Sequence, residues 1–128
     1  MPKLKSVQSK NAPAPIGPYS QAVESQGFIF TSGQIALDSE TGQLVTGGVE
    51  AQARKVFDNL NAVLEAGGSA LEFVVKTTIF LKNMDDFGKV NAIYAEYFSK
   101  ALPARSTVEV SRLPKDVLVE VDCIAVKR

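Results

Sequence analysis

The chain has no histidine and no tryptophan, one cysteine, and no excess of charge: 14 Lys and Arg stand against 14 Asp and Glu in 128 residues. Each absence excludes chemistry. Without histidine there is no Ser-His-Asp or Cys-His machine, no histidine-based ribonuclease and no His-containing zinc site. A lone cysteine closes neither an internal disulfide nor a four-cysteine metal site, which fits a reducing compartment. Zero net charge leaves no electrostatic footprint for nucleic acid or an anionic membrane. No apolar run approaches a membrane span. Neither G-x-x-x-x-G-K-[ST] nor G-x-G-x-x-G occurs, so both common phosphate cradles are missing. What survives is small-molecule chemistry built on arginine, carboxylates, hydroxyls and backbone amides.

The length suits one domain, residues 1–128, able to bury roughly two-thirds of its unfolded surface without staples. The first 23 residues carry Lys3, Lys5 and Lys10 and no acid, a faint likeness to a transit peptide. They also carry four prolines and no arginine, which suits an extended arm of the domain better. Cytoplasm is the expected location.

Two helices are expected. Between Val49 and Ala66, Ala53, Val56, Phe57, Leu60 and Leu64 fall on one face, and Gly67-Gly68 supplies a left-handed stop. A second helix should start near Met84 with Asn83 as its cap and Asp85 and Asp86 in the first turn. Its buried stripe reads Phe87, Val90, Tyr94, Tyr97 and Phe98. Strands are expected at 28–32, at 73–81 as a central strand apolar on both faces, at 106–112 and at 117–126. Gly33 suggests a bulge or a close backbone approach. Leu113-Pro114-Lys115-Asp116 reads as a hairpin connection. The sum is an α+β layer, a mixed sheet with two helices on one face.

That layer leaves a deficit. In the last strand Val117, Val119, Val121, Cys123 and Ala125 make a helix-facing row. The opposite row, Leu118, Glu120, Asp122, Ile124 and Val126, mixes apolar groups with carboxylates, and no third helix exists to cover it. Such a face calls for partners, so a homo-oligomer is expected.

Most polar residues have ordinary explanations. Gly47-Gly48 reads as a turn, Asp85-Asp86 as helix capping, and Cys123 as a buried inert thiol. Two residues stand apart. Arg105 opens a strand after Pro103-Ala104 and could grip a substrate carboxylate bidentately, the plain alternative being an ion pair with Glu109. Glu120, among apolar neighbours, is a candidate acid/base group, the alternative being an interfacial salt bridge.

Five motifs in one order then carry a resemblance: Asn11-Ala-Pro-Ala-Pro-Ile-Gly-Pro-Tyr19-Ser-Gln-Ala22, Ser32-Gly-Gln-Ile35, Val75-Lys-Thr-Thr78, Pro103-Ala-Arg-Ser106 and Arg112-Leu-Pro-Lys-Asp116. From about residue 11 onward the chain resembles the RidA (YjgF/YER057c/UK114) family of reactive imine deaminases. The resemblance implies a chorismate-mutase-like fold and a homotrimeric barrel with helices outside and sites between subunits. It implies hydrolysis of 2-iminobutanoate and 2-iminopropanoate to 2-oxo acids and ammonia, with no metal or organic cofactor. Carried over by position, Arg105 is the carboxylate-binding arginine, Glu120 the water-associated glutamate and Tyr19 the third catalytic group. Ser32, Gly33, Asn91 and Thr107 would bind substrate, Thr107 standing where many relatives have cysteine.

Two other readings compete: an endoribonuclease or translation inhibitor, as some family members have been described, and a non-catalytic module that binds small carboxylates. Neutral charge and missing histidine argue against RNA. The hairpin reading has a geometric consequence. Paired residue numbers would sum to about 229, setting Glu120 opposite Glu109 and roughly 13 Å along the strand from Arg105. Arg105 and Glu120 of one chain would then not serve one small substrate, and a site shared between subunits is expected.

Overall fold

The computed structural model describes residues 4–128. Its strands are β1 (Lys5–Val7), β2 (Ala22–Ser25), β3 (Phe28–Thr31), β4 (Val74–Leu81), β5 (Ala104–Glu109) and β6 (Val119–Val126). They form one sheet in the order β1-β2-β3-β6-β4-β5, with β4 and β5 parallel and every other pair antiparallel. Helices α1 (Gly48–Ala66) and α2 (Phe87–Tyr97) complete the α+β layer.

The helices form where the periodicity places them. In α1 the stripe Ala53, Val56, Phe57, Leu60 and Leu64 is fully buried. The helix stops where the chain turns left-handed, at Gly68 with φ +81°. Asn83 caps the second helical segment, its side chain accepting from the Asp85 amide at 2.9 Å. The first turn, Met84–Asp86, is 3₁₀, and α2 proper follows it. Of the expected α2 stripe, Val90, Tyr94 and Phe98 are buried and Ile93 joins them. Tyr97 is only partly buried and Phe87 remains 37% exposed.

Against both helices lies the predicted row of β6, with Val119, Val121, Cys123 and Ala125 at most 2% exposed. Thr77, Ile79 and Leu81 of β4 extend it. A core leucine here is worth much: truncating Leu60 to alanine should cost about 2–5 kcal/mol. The other sheet face is covered only at its Phe80 end, where Ile35, Leu37, Leu113 and Val117 form a second buried cluster. Glu120, Asp122 and Ile124 are half-buried, while Phe28, Phe30, Val108 and Val126 are exposed. β4 is therefore covered by its own chain along one face and only at Phe80 on the other, not along both as its apolar sequence suggested. Among the described residues no helix is long and apolar enough to cross a membrane.

The hairpin is a misreading. β5 and β6 do not pair; β4 runs between them. Arg105 lies opposite Thr77 and Glu120 opposite Phe80, so the expected pairing of Glu120 with Glu109 does not exist. The connection instead arcs over the end of β4. The Val110 amide donates to Leu81 O, and the Lys82 amide donates to Leu118 O. Pro114–Asp116 is a 3₁₀ turn with Lys115 and Asp116 both at positive φ, a wider arc than a two-residue hairpin loop makes.

Candidate active site: two half-sites on opposite faces

The first half-site is built around Glu120. Beyond β3, Gln34 forms a bridge to Val121, its amide donating to Val121 O at 2.8 Å while the Val121 amide donates back at 3.2 Å. This bridge draws Gly33 against the Glu120 side chain. A Cβ built on Gly33 would fall onto Oε2 and lie 2.8 Å from Cδ, so the close approach expected at Gly33 is real and its partner is the carboxylate.

The cavity beside them holds about 380 Å³ and is lined by Glu120, Gly33, Ser32 and Tyr19, with Ile16, Leu37 and Pro114 among its apolar walls. Tyr19 is 48% exposed, and its hydroxyl accepts from the Ile16 amide at 3.4 Å. Ser32 Oγ donates to Ser20 O at 2.6 Å, which ties β3's exit to the N-terminal arm. Gln21, buried, holds that arm from the other side. It accepts from the Ser9 amide and donates to carbonyls of Ser9, Ala12 and Pro13. Burial, reinforced by the like charge of Asp122, raises the Glu120 carboxyl above its ordinary value. That is the direction a proton-accepting carboxylate requires.

The second half-site lies on the helix side of the sheet at its β5 edge. Arg105 Nη1 donates to Asn91 Oδ1 at 2.8 Å. The guanidinium carbon sits 4.7 Å from the Tyr94 ring centre and 5.4 Å from that of Phe87. Thr107, two residues along the same face, has a buried hydroxyl without a partner among the described residues. The alternative ion pair with Glu109 is not formed; Glu109 Oε1 accepts from the Met84 amide at 2.8 Å. Among the described residues no carboxylate pairs with Arg105.

One chain thus brings together Tyr19, Ser32, Gly33 and Glu120, and separately Arg105, Asn91 and Thr107. It does not unite the two sets. The sequence reading missed Phe87 and Tyr94 as neighbours of Arg105, having assigned both to the core. Their spacing held a signal, since Phe87, Asn91 and Tyr94 recur at i, i+4 and i+7 on one helix face. The role of Gln21 had no local signal. Cys123 is the inert thiol expected, buried with its pKa pushed up to about 12. Among the described residues no group of three His, Cys, Asp or Glu is placed to hold a metal ion.

Residues 9–127 match the family described as endoribonuclease L-PSP. The Escherichia coli K12 protein named 2-iminobutanoate/2-iminopropanoate deaminase is 49% identical over 127 residues, 97% of this chain and 98% of its own. A RutC family protein of Synechocystis is 59% identical over 125 residues, 96% of either chain. The crystal structure of E. coli TdcF with bound serine has a TM-score of 0.92 at 38% identity, covering 97% of this chain and 99% of that one. With near full-length matches of this strength, the chain belongs to the RidA family, the same family that carries the endoribonuclease L-PSP description.

Proposed function

We propose that the protein is a cytoplasmic 2-iminobutanoate/2-iminopropanoate deaminase working as a homotrimer, with each site assembled from the Arg105 half of one subunit and the Glu120 half of its neighbour. The observation that carries this reading is the arginine. Its guanidinium is held by Asn91 and two rings, yet among the described residues it has no acidic partner. A cation prepared in this way suits a ligand carboxylate. The E. coli relative's name and the serine bound by TdcF favour a small α-nitrogen carboxylate. The exposed Phe28, Phe30, Val108 and Val126 on Glu120's face of the sheet favour a partner subunit.

The chemistry is short. Arg105 binds the carboxylate of the iminium R–C(=NH₂⁺)–COO⁻, which fixes C2 in front of the Glu120 pocket. Water adds through oxygen to C2, the C=N π pair moves to nitrogen, and Glu120 takes one proton. The carbinolamine then receives that proton on nitrogen. Its hydroxyl proton passes to Glu120 or water as the C–N bond breaks and ammonia departs. Ammonia then takes up that proton as ammonium, leaving the 2-oxo acid and an ionised Glu120. Tyr19 or a bound water relays the proton toward nitrogen. Each tenfold acceleration needs only about 1.4 kcal/mol, within reach of one oriented carboxylate and one bound cation.

The test is a coupled assay in which threonine dehydratase releases the imine and 2-oxobutanoate formation is followed. Arg105→Ala should abolish the acceleration with fold and oligomer intact. Arg105→Lys should also be poor, because an ammonium lacks the planar fork. Wild-type turnover by the alanine variant would overturn the function.

A further inference from the structure

Helix α2 aims three side chains at β5: Phe87 in its first turn, Asn91 one turn on and Tyr94 a turn further. Asn91 accepts one N–H of Arg105, and the other guanidinium N–H groups meet no acceptor among the described residues. The two rings meet the same cation. Tyr94 is itself immobilised. Its ring stacks on Phe98 at 4.4 Å and meets Phe57 edge-on at 5.7 Å. Its hydroxyl shares a 2.9 Å hydrogen bond with Thr77, a fully buried residue directly opposite Arg105 on the neighbouring strand.

Core packing accounts for the burial of Tyr94 but not for the set. Phe87 is over a third exposed, so its ring contributes little to the interior, yet it lies 5.4 Å from the guanidinium carbon. Thr77 buries a hydroxyl where valine would pack as well, and it is matched by the Tyr94 hydroxyl. A free arginine samples many rotamers, which must be given up when a carboxylate binds. A cation resting on π faces has lost that freedom before the ligand arrives.

We infer that Phe87 and Tyr94 are positioning residues that hold the Arg105 guanidinium on their π faces with its unused N–H edge toward the ligand, and that Thr77 locks the Tyr94 ring from behind. The inference rests on the carboxylate-binding role of Arg105 proposed above.

The test uses the full-length protein in the imine assay, with 2-oxobutanoate inhibition as an equilibrium measure of carboxylate binding. Phe87→Leu and Tyr94→Met should each raise KM and the 2-oxobutanoate inhibition constant about three- to tenfold, with kcat changed far less. Tyr94→Phe keeps the ring but loses its hydrogen bond to Thr77, so it should raise both constants, by less than Tyr94→Met does. Constants equal to wild type in Tyr94→Phe would remove Thr77 from the clamp. A purely structural role would lower the melting temperature and kcat and leave both constants alone. Unchanged constants in Phe87→Leu, or in a folded Tyr94→Met, overturn the clamp. Phe87 is a surface residue, so its variant decides the matter even if Tyr94→Met fails to fold. Should Arg105→Ala be inactive while Phe87→Leu is normal, the clamp alone falls; should Arg105→Ala be normal, the functional reading falls with it.

Discussion

Arg105 and Glu120 lie on opposite faces of the same sheet. Arg105 is paired with Thr77 on β4, Glu120 with Phe80, and the odd separation of those two partners turns the side chains to opposite sides. Arg105 rests against α2, while Glu120 faces the cavity under the N-terminal arm. A four-carbon substrate has no means of touching both within one chain.

The Glu120 carboxyl titrates above its ordinary 4.5 because it is half-buried and Asp122 lies two residues along the same face. It must be ionised to take a proton from water, so kcat/KM should fall on acidification through a pKa above that value. Asp122→Asn removes the neighbouring negative charge, favours ionised Glu120 and should move this acid limb to lower pH. An acid limb unmoved in Asp122→Asn would separate it from Glu120. Stability follows the same sign. A raised folded pKa gives a contribution that is full below the unfolded value and is lost as pH rises through the folded one. Glu120→Gln should therefore melt no lower than wild type at neutral pH while losing about 10²–10⁴-fold in rate.

Gly33 admits no side chain without moving that carboxylate. It is not among the glycines at positive φ, so its backbone accepts alanine, and what gives way is the flexible end of Glu120. Gly33→Ala should fold normally and melt within a few degrees of wild type. It should lose on the order of 100-fold in kcat/KM, the usual consequence of misplacing a reacting group by about an ångström. Wild-type kinetics would show that the position of this carboxylate is unimportant.

Local signals carried much of this architecture. The α1 stripe, the Asn83 cap, the Gly68 stop and the inward row of β6 each follow from spacing over a few residues. The half-buried row of Glu120, Asp122 and Ile124 was readable for the same reason, since parity alone separates it from Val119. Parity failed before the strand begins, where Val117 packs with Ile35, Leu37 and Leu113, and Leu118 against the helix-side core. Pairing was not readable. Leu113-Pro114-Lys115-Asp116 has turn chemistry, and turn chemistry says that the chain reverses, not which strand edge is free to receive it. With α2 as the crossover, β5 takes the open edge of β4, and β6 is left to pair with β4 on its other edge. The same limit hid part of the site. Arg105 was legible from its place after Pro103-Ala104 and Glu120 from its apolar neighbours on the last strand, but the hydrogen-bond partners of Thr77, Tyr94 and Gln21 are supplied only by the fold.

RNA should bind weakly. Fourteen cations are balanced by fourteen acids, and Arg54, Arg112 and Lys127 are already engaged in ion pairs. Fluorescence anisotropy at physiological salt should give a dissociation constant weaker than about 10 µM, weakening further as salt rises. Sub-micromolar affinity, together with cleavage by rigorously purified protein, would favour the ribonuclease reading.

The opposed faces of Arg105 and Glu120 make subunit mixing the sharpest test of a shared site. Arg105→Ala and Glu120→Ala proteins should each be inactive as homotrimers, because every site then lacks one half. In a cyclic trimer each site joins the Arg105 face of one subunit to the Glu120 face of the next. Any trimer containing both variants then has a single junction where a Glu120→Ala subunit supplies its arginine to the glutamate of an Arg105→Ala neighbour. Random exchange of equal amounts should restore about a quarter of wild-type sites, since roughly three trimers in four are mixed and each regains one site of three. Recovery should appear only after exchange, checked by mass spectrometry of differently tagged subunits, and should track the mixed fraction. If exchange is complete and activity stays at the level of the separate variants, both groups act from one subunit or one of them takes no part. The shared site would then be wrong.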